Sequence, residues 1–493
     1  MQSGHPRSPD LRSPSPGSPA LPGRRPEAAP TGRRRNRSVP ILAAVVACAV
    51  VVAVVSQLLA ARPKPSATPE SAEIAPLIPD VQTLDTGGDV GSSSAADVAR
   101  IRTDIDFWSA RFKAHPLDFV SATEWGANEI ALARTTGDLG AYITANAAFD
   151  AALATFADNP AALGYKGGVL ISLHKFADAR DLASTILAKQ PNDPVALATL
   201  GDASLELGDL AAARSAFERA DGLAHSSATL VRLAHLAFIE GDSSSAVSMA
   251  RKAVDLSDDE GAGDERAAWY RYQLGDVLLA TGDVAGARTA MDGAVAADDG
   301  SYLAHWGRSR VLSEQGDLDG AIAEVSKAIA IVPQPEFLAR RADLYTLRAN
   351  AGDAGRAARD QALVEAEAKL AGEASNVYDR TLVIYLANHG LEPARAVSLA
   401  EAEIAIRKDV YGYDALAWAL LAAGRPTDAR AAIDHALEVG TRDAKIYYHA
   451  GMIAAALGDR EGARSQLEEA LSIDPGFDPL QAVRARQTLQ SLQ

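Results

Sequence analysis

Residues 197–220 read LATLGDASLELGDLAAARSAFERA. An apolar stretch is broken by Gly208-Asp209 and followed by an Ala-rich stretch. Gly takes the left-handed conformation that ends a helix, and the Asp behind it can cap the next one. The segment therefore predicts two helices joined by a tight turn. The same phrase recurs from about residue 96 onward, with breaks at Gly137, His174, Gly208, Gly241, Gly282, Gly316, Gly352, Gly390, Gly424 and Gly458. The intervals between them are 37, 34, 33, 41, 34, 36, 38, 34 and 34 residues. A period this regular is an internal repeat. One hairpin cannot bury its own apolar faces, so neighbours must stack, and the prediction is an all-α solenoid of about ten hairpins.

The composition agrees. Of 493 residues, 48% are hydrophobic but only 5% aromatic, so Ala, Leu and Val carry the apolar content. Ala loses no rotamer freedom in a helix and lets helices approach closely. The single Cys48 excludes a disulfide framework and any Cys-based metal site. The net charge is −16, yet residues 1–38 hold eight Arg and two acids, which leaves −22 on the remainder. Nucleic acid is not an expected partner of such a surface.

The N-terminal quarter divides by composition. Residues 1–38 are rich in Pro and Arg and are expected to be a disordered cytoplasmic tail. Residues 39–61 carry no charge, and as a helix they would span roughly 30 Å, the thickness of a bilayer core. They are expected to form a single uncleaved transmembrane helix. Arg33, Arg34, Arg35 and Arg37 precede it while Arg62 and Lys64 follow, so the tail is expected in the cytoplasm and the rest outside. Residues 62–95 read as a Pro/Gly/Ser-rich linker, and residues 96–493 as the solenoid.

Several units carry a more specific pattern. One reads Leu197-x2-Leu200-Gly201-x2-Ser204, then Ala213-x3-Phe217 and Ala220; another Leu274-Gly275-x2-Leu278, then Ala287-x3-Met291 and Ala294. Near the end come Tyr413-x2-Leu416-Ala417-x2-Leu420 with Ala429-x3-Ile433, and Tyr447-x2-Ala450-Gly451-x2-Ala454 with Ala463-x3-Leu467 and Pro475. These resemble the tetratricopeptide repeat. Residues 415–420 and 447–453 further look like phrases of bacterial membrane-anchored proteins of this type. The resemblance covers residues 96–493 and implies a right-handed superhelix. Residues 257–265 are expected to insert an acidic loop, 338–352 to extend a first helix by a turn, and 357–390 match poorly. Residues 480–492 read as a capping helix with Arg484, Arg486 and Gln487 outward.

No catalytic or metal-binding spacing is found: there is no phosphate loop, no nucleophile elbow, no His-Glu-x-x-His, and the nine His stand singly. The many carboxylates, such as Asp209, Asp242, Asp283, Asp317 and Asp459, sit where helix caps belong. No catalytic residue, cofactor or small-molecule substrate is indicated. What remains is a surface. The resemblance implies that the first helices of successive hairpins line a concave groove that binds a protein or peptide. The groove positions are Asp202, His235, Phe238, Trp269, Tyr272, Asp276, Trp306, Arg310, Asp414, Trp418, Tyr448 and Met452. Aromatics and Arg dominate binding hot spots, though aromatic stripes at helical spacing also fill cores. The expected function is a membrane-tethered, extracytoplasmic, non-enzymatic scaffold. The alternatives are an accessory subunit of an envelope complex serving cofactor assembly or cell-wall work, and a hydrolase using Asp276 with Arg310, or Asp414.

Overall fold

The computed structural model describes residues 95–374 and 380–492. These contain 22 α-helices and no strand. Helix α1 (Ala95–Ala114) leads into ten hairpins: α2 (Phe119–Thr136) with α3 (Leu139–Thr155), α4 (Pro160–Ser172) with α5 (Phe176–Lys189), α6 (Pro194–Glu206) with α7 (Leu210–Leu223), α8 (Ser227–Ile239) with α9 (Ser243–Asp259), and α10 (Asp264–Ala280) with α11 (Val284–Ala297). Then come α12 (Tyr302–Glu314) with α13 (Leu318–Ile331), α14 (Pro335–Arg348) with α15 (Asp353–Ala374), α16 (Arg380–His389) with α17 (Pro393–Ile404), α18 (Val410–Ala422) with α19 (Pro426–Glu438), and α20 (Ala444–Ala456) with α21 (Arg460–Ile473). Helix α22 (Gln481–Ser491) follows.

All ten breaks read from the sequence fall at hairpin turns. Each has positive φ, 56° at His174 and 64–85° at the nine glycines. Asp209, Asp242, Asp283, Asp317 and Asp459 each accept a backbone N–H of the helix that follows. Within a hairpin the small residue of the first helix admits the large residue of the second. A Cβ on Gly201 would collide with the fully buried Phe217 ring, and one on Gly275 would lie 2.5 Å from Met291. Burying Phe217 contributes about 2–3 kcal/mol.

Two expectations about the irregular units change. The acidic stretch 257–265 is mostly helix, with α9 and α10 each running 17 residues, and only residues 260–263 connect them. Asp264 and Glu265 lie in the first turn of α10, where the helix dipole favours negative charge, and Arg271 donates to Asp258 at 2.7 and 2.8 Å. In the next irregular unit the added length falls in the second helix, not the first: α14 has 14 residues and α15 has 22. Asp353 starts that longer helix, fully buried and held by Arg348, Arg356 and the backbone N–H of Asn350.

The described residues form one unit, and successive superhelical turns touch. A Cβ on Gly137 would lie 2.5 Å from Val332, between α13 and α14. Gly208 abuts the Lys408 carbonyl, Gly241 the Gly440 carbonyl, and Gly282 the Ile473 carbonyl. Arg407 pairs with Glu206, and Thr441 donates to the Ile239 carbonyl. Contacts between residues about 200 apart mean that a turn of the superhelix takes between five and six hairpins.

Helix α22 covers the last hairpin. Gln481, Ala482 and Ala485 face inward, Arg484, Arg486 and Gln487 are exposed, and Arg460 and Arg464 donate to the Leu492 carbonyl at 2.9 and 2.8 Å. The tail, the transmembrane segment 39–61 and most of the linker lie outside the described residues. Among the described residues no helix is long and apolar enough to cross a membrane.

Candidate functional site

Because the turns close on one another, the first helices of the last seven hairpins (α8, α10, α12, α14, α16, α18 and α20) surround a chamber of about 460 Å³. Phe477 and Asp478, ahead of α22, and Gln481 at its start complete its wall. Eight of the twelve groove positions line this chamber: His235, Phe238, Tyr272, Asp276, Trp306, Arg310, Asp414 and Tyr448. Helical spacing within α10 puts Tyr272 beside Asp276, and in α12 Trp306 beside Arg310.

The other four positions lie elsewhere. Asp202 accepts from Arg232 at 3.0 Å. Trp269 is 8% exposed and packs among Leu230, Val231, Ala253 and Tyr270, in the seam between hairpins. Met452 lies under α22, with its Sδ 3.6 Å from the Thr488 hydroxyl. Trp418 is 4% exposed; its indole N–H donates to Asn388 at 2.8 Å and its ring stacks on His449 at 4.2 Å. Trp418 is thus a support for Asn388 and His449, which do reach the chamber. Trp306 is 6% exposed and has one edge in the chamber and one against Phe337, at 4.8 Å.

The charges in the chamber are unevenly matched. Arg310 pairs with Asp276; burial opposes its charge, but Asp276 outweighs that and holds its pKa above the ordinary value. Burial and then Asp276 push the Tyr272 hydroxyl upward, and burial with Asp443 does the same to Tyr411. His449 lies 2.7 Å from Asp414, both buried. Arg380 binds Glu403 and Asp409 at 2.8–2.9 Å. The two carboxylates weighed for a hydrolase, Asp276 and Asp414, do share the chamber, each held by a basic partner.

Sequence reading missed the groups of α14 and α16. Glu336, Ala339, Arg340 and Asp343 form one face of α14 toward the chamber, and Thr381, Ile384, Tyr385, Asn388 and His389 one face of α16. Burial, and then Asp478, push the Asp343 carboxyl up to about 8, and burial lowers His389, whose Nε2 lies 3.4 Å from Asp343. Glu314 rises to about 7 through burial and the nearby Asp474. A signal was present: Phe238, Tyr272, Trp306 and Arg340 stand 34 residues apart and all line the chamber. No group of three potential metal ligands occurs among the described residues.

A closed array of helical hairpins with its inner helices around a shared chamber defines an all-α repeat solenoid. Sequence models of the tetratricopeptide repeat match residues 138–202, 194–219, 231–302, 272–334 and 415–476, together about half of the chain. The chain belongs to the tetratricopeptide repeat family. Among solved structures it is similar to a tetratricopeptide repeat protein from Parabacteroides merdae, with 19% identity, 54% of this chain and 99% of that one covered, and a TM-score of 0.30. It is also similar to the APC/C hetero-tetramer Cut9-Hcn1, with 14% identity, coverage of 81% and 94%, and a TM-score of 0.30. A third is YrrB, described as a TPR protein with an unusual peptide-binding site, with 17% identity, coverage of 38% and 94%, and a TM-score of 0.27. No curated protein matches the chain.

Proposed function

We propose that this protein is a membrane-tethered scaffold, without chemistry of its own, that holds a protein or peptide partner on the extracytoplasmic side through the inner face of its solenoid. One observation carries the reading: seven successive first helices turn aromatic and charged side chains toward one shared space. A repeat fold supplies such a surface from many modest contacts, and a membrane tether would raise the effective concentration of its partner. The uncharged run at 39–61, with Arg concentrated before it, supports the tether and its orientation.

The test is in-cell crosslinking and purification of the full chain beside a His235→Ala, Glu336→Ala, Lys445→Ala variant. These three side chains are exposed at the chamber and are not part of the core, so circular dichroism should match wild type. A partner lost only from the variant supports the inner face; identical partners from both move the binding surface elsewhere. Carbonate extraction and protease protection of the same cells test the anchor: solenoid digestion in intact cells is the expected result.

A further inference from the structure

The chamber holds a charge that the protein does not match. Arg340, on the inner face of α14, makes no hydrogen bond and no ion pair with any described residue, and its Nε is fully buried. Every other arginine on the chamber wall has a carboxylate: Asp276 for Arg310, Glu403 and Asp409 for Arg380. The carboxyl nearest in sequence on the same helix face, Asp343, sits with His389 instead and is mostly protonated at neutral pH. Asp478 and Glu314 are the other acids in electrostatic reach; one Asp478 oxygen is spent on the N–H groups of Leu480 and Gln481 at 2.9 and 2.8 Å, and burial pushes the Glu314 carboxyl up to about 7. A guanidinium offers five donors in a planar fork shaped to a carboxylate. The side chain is part-buried with its Nε shielded from water, and leaving that donor without an acceptor is costly, so a site that keeps it points to an acceptor from outside the chain.

We propose that the chamber binds a small organic acid carrying one carboxylate, anchored on the Arg340 guanidinium, with its apolar part against Trp306, Phe477 and Tyr448. The volume of about 460 Å³ falls in the range of about 300–1,000 Å³ that small-molecule sites occupy. The three rings supply the apolar wall. Lys445 is a second side-chain cation on the wall without a partner among the described residues, and it lies close enough to Glu314 to act on its charge, as Arg340 does. The anion is monovalent because Asp276, Asp414, Asp443 and Asp478 share the chamber, and their field repels a dianion such as a phosphate monoester. A neutral acceptor would leave the guanidinium charge unmatched. This inference goes beyond the scaffold reading, which concerns a macromolecular partner, and stands or falls apart from it.

The test is isothermal titration of the detergent-purified full chain with acetate, 3-phenylpropionate, 3-phenylpropanamide and 3-phenylpropylamine. Saturable binding of 3-phenylpropionate at one site per chain is expected, with the amide and the amine at least tenfold weaker. Arg340→Gln should weaken the acid at least tenfold and Arg340→Lys less, while neither lowers the midpoint of thermal unfolding. Tighter binding of the amine than of the acid, equal binding by Arg340→Gln, or no binding of either acid overturns the proposal. A hexapeptide with a free carboxy terminus that binds more tightly than 3-phenylpropionate and loses that advantage in Arg340→Gln also overturns it, because the anion then comes from a peptide end. The scaffold reading is scored separately, by whether Arg340→Gln still captures a crosslinked partner. Capture by that variant leaves the scaffold standing even where the acid fails to bind.

Discussion

The hairpin α12–α13 and the unit formed by α14, α15 and α16 are neighbours in one solenoid, and a buried His–carboxylate pair in each is held differently. In α12–α13, His305 and Glu324 meet at 2.7 Å across the two helices, the His ring also reaches the Asp299 carbonyl, and Lys327 adds a second bond to Glu324 at 3.0 Å. The His305–Glu324 pair is matched inside the hairpin, and Ser309 donates to the Ala321 carbonyl across the same seam. In the α14–α16 unit Arg341 pairs with Asp360 and Arg348 with Asp353, but among the groups that line the chamber Arg340 has no partner among the described residues, Asp343 and His389 meet only at 3.4 Å, and the buried Tyr385 hydroxyl donates to nothing. A repeat that spends its polar groups on itself is a building unit. One that leaves them turned into a chamber has them available for something else. This is why the unit that departs most from the repeat pattern is also the one that gives the chamber its chemistry.

The comparison presumes that the regular hairpins carry the stability of the array. Phe217, fully buried against the space that Gly201 leaves, should reveal this most strongly. Phe217→Ala is expected to cost about 3–5 kcal/mol by urea unfolding. Tyr385→Phe in the irregular unit should cost nothing or stabilise slightly, because the hydroxyl it removes is buried without a partner. Equal losses at the two sites would break the contrast.

One carboxyl in each unit should lose its contribution at opposite ends of the pH scale. Burial alone would raise the Glu324 carboxyl, but the bonds from His305 and Lys327 more than reverse that and hold it at about 2. A carboxyl lowered by folding contributes stability that is present above its unfolded value of 4.5 and is lost as pH falls toward 2. Asp343 has the opposite sign: its folded value of about 8 lies above the ordinary 3.8, so its contribution is present at low pH and disappears as pH rises through 8. Between pH 5 and pH 8.5, wild type should lose about 4 kcal/mol that Asp343→Asn does not lose. Glu324→Gln should remove part of the loss seen between pH 4.5 and 2 while leaving the alkaline limb alone. Thermal unfolding of the three proteins across that range decides it.

How much of this was legible in the sequence follows the same division. The turns were fully legible, because a left-handed residue and a following cap are local requirements that Gly208-Asp209 and its copies state in adjacent letters. Hairpin interiors were legible too, since Gly201 and Phe217 lie 16 residues apart in a repeated frame. Trp269 and Trp306 both read as groove positions, but Trp269 stands 37 residues before Trp306, three residues out of the frame that joins Tyr272 to Trp306, and it fills the seam between hairpins while Trp306 borders the chamber. Closure of one turn on the next was not legible. It depends on the small rotation each hairpin adds, summed over five or six units, and its contacts join residues about 200 apart. Arg340 was hidden for a simpler reason: it sits in the unit that matches the pattern poorly, so the frame that placed Tyr272 and Trp306 was not carried one step of 34 further.

Closure itself is open to the finest version of this test, because the turn glycines supply matched pairs. Gly241 and Gly424 both have positive φ, 83° and 72°, so alanine at either is strained by about 1 kcal/mol. They differ in surroundings. Gly424 faces open space, whereas a Cβ on Gly241 would strike the Gly440 carbonyl of the next superhelical turn. Gly241→Ala should therefore cost about 1 kcal/mol more than Gly424→Ala, the increment belonging to closure and not to the hairpin. It should also loosen a specific place. The amides near Ile239 and Thr441, joined across the turns by the Thr441 hydroxyl on the Ile239 carbonyl, should exchange hydrogen faster in Gly241→Ala and be unchanged in Gly424→Ala. If the two variants behave alike, the turns do not hold each other and the chamber is open along one side. If only Gly241→Ala exchanges faster, the wall around Arg340 owes its enclosure to a contact that no single repeat contains.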